Sequence, residues 1–268
     1  MAQLAETRAA PGGTPAAVTN GGFALDNVAD FMQLYPGTKQ IDIIPRNYST
    51  AVVVRFALNP WLAVLRVDSA TSGAPKVVDY SEAAQDGSAS TSVDLSSLDG
   101  TTGMLLLGSH LPFRGVNIDV DGANGTASII TSTSFYSTKG GWKALTVTDG
   151  TASGGATLAV DGNITWTPPA DWVPIRIEEL LAGMPGMRYK GAPLYWVQVR
   201  PASGLDSATT LDHVLSMNRS TVYAELPSGV AVMGLEVERD LGGVGCIEAL
   251  VDAGSASLIV NCTAGRFS

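Results

Sequence analysis

Leu105-Leu106-Leu107-Gly108-Ser109-His110-Leu111-Pro112-Phe113-Arg114-Gly115 opens the stretch of this chain whose reading decides the fold. It continues through Gly141-Trp142-Lys143-Ala144-Leu145 and Asp149-Gly150-Thr151. It closes on Ile164-Thr165-Trp166-Thr167-Pro168-Pro169-Ala170-Asp171-Trp172 and Leu194-Tyr195-Trp196-Val197-Gln198-Val199-Arg200. Apolar and β-branched runs of strand length alternate with Gly and Asp turn signals, and an aromatic recurs every few tens of residues. That pattern describes short strands folded into a sandwich or jelly roll whose rings fill its core. Residues suited to catalysis are scarce in it, which points to a binding or building-block protein rather than an enzyme.

The same strand-and-turn texture extends outward in both directions. Lys39 to Ile44, Ala51 to Phe56, Leu62 to Asp68 and Lys76 to Asp79 read as strands, separated by Pro36-Gly37, Pro45-Arg46-Asn47 and Asn59-Pro60. Further strands are expected at Met104 to Leu107, Val116 to Val120, Ala127 to Tyr136, Lys143 to Val147, Thr157 to Val160, Asn163 to Thr167 and Tyr195 to Arg200. After Met217 the pattern returns at Thr221 to Glu225, Val230 to Glu238, Val244 to Leu250 and Ser257 to Val260. Asp121-Gly122, Asp149-Gly150 and Asp161-Gly162-Asn163 read as positive-φ hairpin turns. Helical spacing is confined to Asp26 to Leu34, with Asp26 as its N-cap, and to single turns at Ile177 to Leu181 and Ser207 to Val214.

The fold class read from these segments is all-β: two β-sandwich, jelly-roll-like domains with few short helices and a flexible N-terminal arm. The arm is 1–22, rich in Ala, Gly, Pro and Thr and without the apolar core of a secretory signal. A first β domain spans 23–98, completed by the C-terminal β segment 213–268 if the module at 99–212 is inserted into it; simple succession is the alternative. The Ser/Thr/Gly/Asp-rich stretch Ser88 to Gly103 marks the expected boundary.

Composition excludes several classes of function. The 268 residues carry a net charge of −9 and no basic run, which argues against a nucleic-acid partner. Apolar runs are strand-sized, far short of the roughly 20 residues of a membrane-crossing helix. Charged residues make up 15% and hydrophobic ones 45%, a balance suited to close-packed strands whose surfaces meet neighbours. Cys246 and Cys262 flank an expected hairpin, Gly245 to Leu250 with Ala256 to Asn261, and read as reduced, buried thiols; their facing depends on loop length. Five Asn-x-Ser/Thr sites, at Asn47, Asn124, Asn163, Asn218 and Asn261, carry meaning only in a secreted chain.

The search for chemistry returns a short list. His110 and His213 are the only histidines and lack partners at metal-ligand spacing, so no metal site is expected. No Gly-x-Ser-x-Gly elbow is present. Glu178-Glu179, Glu236 with Glu238, and Asp119 with Asp121 are the paired carboxylates, each more simply a solvated face than a glycosidase pair. Asp119-Val120-Asp121-Gly122-Ala123-Asn124 looks like the start of a calcium loop but lacks its length and closing Glu. Trp142, Trp166, Trp172 and Trp196 form either a glycan-stacking platform or core. Trp166 and Trp196 read as core, and Trp172, after two prolines, as the partly exposed ring. No catalytic, cofactor-binding or metal residue is assigned.

Taken in order, Gly108, Pro112, Phe113 and Gly115, then Tyr136 and Trp142, Asp149-Gly150-Thr151, Ile164-Thr165-Trp166, Pro169, Trp172, and Tyr195-Trp196-Val197 with Val199-Arg200, resemble modules in structural proteins of tailed bacteriophages. The similarity covers about a third of the chain. It implies a non-enzymatic virion component acting through subunit contacts, with a capsid decoration or cement protein as the leading expectation. A neck, tail or baseplate accessory, or a glycan-binding module, is the alternative. The expected partners are other virion proteins and further copies of the chain, with no cofactor, nucleic acid or membrane.

Overall fold

The computed structural model describes residues 23–34, 38–49, 52–68, 76–86, 90–96, 98, 103–138, 140–181, 191–237 and 243–264. The expected N-terminal arm, 1–22, and Glu238 lie outside them. The chain divides into two compact units, Met1–Trp61 with Ser220–Ser268, and Leu62–Arg219. The first begins with β1 (Phe23–Leu25), β2 (Asp30–Gln33), β3 (Thr38–Arg46) and β4 (Val53–Pro60). The second contains β5 (Ala63–Asp68), β6 (Lys76–Asp79), a 3-10 turn (Ala83–Gln85), β7 (Val93–Asp94), β8 (Met104–Ser109), β9 (Phe113–Gly122), β10 (Ile130–Tyr136), β11 (Trp142–Ala144) and β12 (Val147–Asp149). It goes on with β13 (Gly162–Trp166), β14 (Ile175–Arg176), the four-residue helix α1 (Ile177–Leu180), β15 (Pro193–Pro201) and β16 (Thr210–Asn218). The chain then returns to the first unit for β17 (Ala224–Pro227), β18 (Val232–Glu236), β19 (Val244–Val251) and β20 (Ala256–Ala264). The protein is all-β, with α1 the one α-helix among the described residues.

The first unit is a sandwich of two four-stranded antiparallel sheets, ordered β1-β20-β3-β18 and β17-β4-β19-β2. Each ladder joins a strand that precedes Trp61 to one that follows Ser220, so the two chain segments interdigitate strand by strand. Period-2 alternation sends Ile41 and Ile43 of β3, Val54 and Phe56 of β4, Ile247, Ala249 and Val251 of β19, and Leu258 and Val260 of β20 into one aliphatic core.

The second unit pairs a sheet ordered β11-β10-β15-β8-β5-β6, with β14 beside β15, against one ordered β12-β13-β9-β16-β7. From β8 onward the chain alternates between the two sheets, the crossing habit of Greek-key and jelly-roll sandwiches. Between them lie Val64, Leu107, Phe135 and Val197 from one sheet, and Phe113, Val116, Ile118, Ile164, Trp166 and Val214 from the other. Gly108 sits opposite Trp196 in the β8–β15 ladder, and a Cβ there would lie 2.5 Å from the indole. The glycine is what lets the ring lie flat on the strand.

Several expectations are corrected. The unit boundary falls at Trp61/Leu62 rather than near residue 98, because β5 pairs with β8 (Ala63↔Gly108 through Val67↔Met104) and Val93, Leu95 and Leu98 bury in the second core. Asp26 to Leu34 is not a helix. Asp26 Oδ1 accepts from Val28 N (2.6 Å) in a turn, and the segment continues as β2, paired with β19. Its apolar residues are a strand buried on both faces, a pattern that spacing alone confuses with a helix. Ser207 to Val214 likewise gives way to β16 after a turn in which Asp206 Oδ1 accepts from Ala208 N and Thr209 Oγ1. Thr157 to Val160 is turn, not strand. Cys246 and Cys262 do not face each other across a hairpin, since β19 and β20 belong to different sheets; both are buried thiols. Gly122, Gly150 and Gly162 have no positive φ. They are glycines because a Cβ would strike the backbone of Ala208, Asn163 and Gly150 respectively.

Candidate functional site

The chemically densest place among the described residues is the outward face of the second unit's smaller sheet, where β9 and β16 run side by side. Val116, Ile118 and Val214 turn inward to the core. Alternation therefore sends Asn117, Asp119 and Asp121 of β9, with His213 of β16, to the other face. A register shift between Leu211 and His213 sets His213 directly across from Asp119. The tight connection before β13 brings Asp161 against the same strands, its Oδ1 accepting from Val120 N (2.9 Å).

His213 is 1% exposed. Its Nε2 lies 2.8 Å from Asn117 Oδ1, and Asn117 Nδ2 donates to Asn163 Oδ1 at 2.8 Å, so an amide ladder crosses β16, β9 and β13. On its other side, Nδ1 stands 3.4 Å from Asp119 Oδ2 in a geometry that makes no hydrogen bond. Asp161 has its carboxyl raised above the usual range by burial first, then by the charge of Asp119 and a side-chain hydrogen bond with it. Asp212 is raised as well, by burial and then by Asp119 and Asp121. Among the described residues no group of three or more His, Cys, Asp or Glu can hold a metal ion.

The loops at the neighbouring end are tied by a second polar network. Asn124, 2% exposed, accepts from Thr126 N and Asp206 N and donates to the carbonyls of Thr126 and Thr157. Asp149 accepts from Thr151 N, Thr151 Oγ1 and Thr157 Oγ1. Thr151 Oγ1 in turn accepts from Leu158 N, fixing a leucine at φ 54°, a conformation that L side chains adopt only when their surroundings hold it. Asp119 to Gly122, read as the start of a calcium loop, is strand, and Asn124 is spent on these contacts.

The other sequence candidates disperse. His110 sits in the turn between β8 and β9, its pKa lowered by burial. Glu178 accepts from Gly191 N, while Glu179 and Glu236 are exposed on separate elements of separate units. Trp166 is core, as expected, and its Nε1 donates to Phe113 O (2.9 Å). Trp196 is fully buried, but on the opposite face of β15 from Val197, with Nε1 donating to Ile175 O (2.9 Å). Trp172, expected to be partly exposed, is 6% exposed. Its ring packs between Phe113 (5.2 Å) and Tyr195 (5.6 Å), and its Nε1 donates to Trp196 O (3.2 Å).

Trp142 alone of the four is half-buried, in a T-shaped contact with Tyr136 at 6.0 Å on the edge of the larger sheet. A groove of about 580 Å3 lies along Leu145, Thr146, Thr148, Thr165, Trp166 and Thr167, with no charged residue among the described lining. No helix among the described residues is long and apolar enough to cross a membrane. Sequence reasoning passed over Asp161 and Asp212, because only the β9–β16 register and the turn before β13 bring them to Asp119. Comparison with known protein families, characterised proteins and solved structures found no match to this chain.

Proposed function

We propose that this protein is a non-enzymatic structural component of a tailed-phage virion, a capsid decoration or cement protein that acts through contacts with virion subunits and with further copies of itself. The observation that carries the reading is the use made of the tryptophans. Trp166, Trp172 and Trp196, three of the four tryptophans of the phage-like series, are buried, and each indole N–H is spent on a backbone carbonyl. Rings committed in this way hold strands together and are not themselves free to stack on a sugar, which supports a building-block module over a ring-lined lectin. Two disulfide-independent sandwiches with few charges suit a part that works by area of contact. Assembly would take place in the bacterial host cytoplasm, with the virion as the final location.

The test is occupancy of a particle. Purified protein added to virions assembled without it should bind saturably, at a copy number that is a multiple of the capsid symmetry, and electron microscopy should place the added density on the capsid. Density at the neck, tail or baseplate would move the protein to the accessory class, and absence from every particle would overturn the proposal. The half-buried Trp142 beside Tyr136 is the one observation that favours the glycan-binding alternative. Calorimetry of the full chain against host-surface oligosaccharides, with Trp142→Ala as the control, decides it: saturable heat lost in the variant establishes the lectin reading.

A further inference from the structure

The hydrogen-bond ladder across the second unit's outward sheet face fixes where one hydrogen must be. Asn117 Nδ2 donates to Asn163 Oδ1, so Asn117 presents its Oδ1 to His213, and His213 Nε2 must carry the hydrogen that bridges the 2.8 Å between them. In a neutral imidazole that tautomer leaves a lone pair on Nδ1. Nδ1 is buried without a hydrogen-bond partner, and a carboxylate oxygen, Asp119 Oδ2, stands 3.4 Å from it. Two acceptors would then face each other, and Nδ1 would carry the desolvation penalty of a buried nitrogen with no donor to meet it.

The surroundings deepen the mismatch. Asp119 and Asp121 from β9, Asp161 from the turn before β13, Asp212 from β16 itself and Asp86 after the 3-10 turn all bear on this point, and His213 is the one group among them able to carry positive charge. The carboxyl of Asp161 is held above its usual range by burial and by the neighbouring charge of Asp119. A metal ion could relieve the same conflict, but the described residues present no set of ligands able to hold one.

We propose that the folded second unit binds a proton in the gap between His213 Nδ1 and Asp119, beside Asp161, so that β9, β16 and the turn before β13 are clasped more tightly in acid than in alkali. The proton comes from solvent on folding and returns to it when the clasp opens. This inference stands on geometry and does not depend on where the protein assembles.

The full chain labelled with 15N-histidine, with His110→Gln to assign the second ring, reports which ring nitrogens carry hydrogen between pH 5 and 9; the 13C shift of the Asp119 carboxyl reports a proton on oxygen. The expected result is Nε2–H throughout and one proton on either Nδ1 or Asp119 at the acid end, lost in a single step as pH rises. Asp161→Asn, at an exposed turn position that leaves the core untouched, should move that step by about one pH unit or more, the size expected for removing one adjacent carboxylate. Nδ1 and Asp119 both bare at every pH, or a step unmoved by Asp161→Asn, would overturn the proposal. So would Zn2+ or Ca2+ at micromolar concentration displacing the proton, which would assign the gap to a cation.

Discussion

The two units solve one packing problem with different materials. In the first, the space between the sheets is filled almost wholly by aliphatic side chains, Leu25, Ile41, Ile43, Val54, Ile247, Val251, Leu258 and Val260, with Phe56 the one ring among the described buried residues of the cluster and Tyr48 packed against it. In the second, Phe113 contacts both Trp166 (5.4 Å) and Trp172 (5.2 Å), and Trp172 reaches on to Phe135 (6.5 Å) and Tyr195 (5.6 Å). Aliphatic faces need only correct alternation, so many residues contribute a little each. A ring cluster concentrates burial in a few side chains and adds direction, since every indole must also reach a carbonyl. The first unit should thus be tolerant of single changes, and the second brittle.

The sharpest way to break that contrast is a matched pair of truncations. Trp172→Ala should cost the second unit about 3–5 kcal/mol, and Ile43→Ala should cost the first about 2–4 kcal/mol. Calorimetry should show two transitions, each variant lowering only its own. If both lesions lower a single shared transition equally, the division into units has no energetic meaning.

A smaller effect probes the fit of ring to strand. Gly108→Ala adds only a methyl group, but on a ladder position directly under Trp196, and should cost about 1–3 kcal/mol through overpacking. The double variant with Trp196→Phe should recover part of that loss, which urea denaturation would measure as a non-additive pair. Additive losses would mean that the ring and the glycine are not in contact.

The smallest expected effect belongs to the first unit and depends on pH. Burial, and then Asp26, push the Asp30 carboxyl up to about 6 from 3.8. A carboxyl raised in the folded state contributes stability that is complete below its unfolded value and is lost as pH climbs through the folded one. The first unit should therefore weaken by about 1–2 kcal/mol between pH 4 and 7, after allowance for the partial exposure of Asp30. Asp30→Asn should flatten that window and leave the second unit's melting unchanged; an unaltered slope would exclude Asp30 as its source.

What could be read from the chain follows the same divide between local and distant causes. Lys76 to Asp79 was legible as a strand to the residue, and β15 nearly so, because alternation within one segment is a local signal. The all-β class followed from the same signal repeated. Asp26 to Leu34 misled because Phe31 and Met32 are both buried, and a strand covered on two faces has no alternation to show. The Cys246–Cys262 hairpin misled because the connection at 252–255 carries the chain between sheets, which depends on partners far away in sequence. Asp149, Asn124 and the aspartates around His213 looked like turn chemistry one by one. Their convergence depends on register, and register is decided by pairing, not by the residues themselves.

The interdigitated first unit has a consequence for how the protein is made. None of β1 to β4 finds a ladder partner among the other three; each waits for a strand from β17 to β20. A ribosome must first synthesise all of Leu62–Arg219, about 10–30 seconds of work at roughly 5–20 residues per second. Throughout that interval β3 and β4, long and rich in Ile and Val, are nascent strands with open edges on both sides. The second unit, whose strands are all contiguous, can close while the first is still waiting. Its folding fixes Leu62 and Arg219 within one compact body, so both segments of the first unit hang from a common anchor, and the unit begun second can be the first completed.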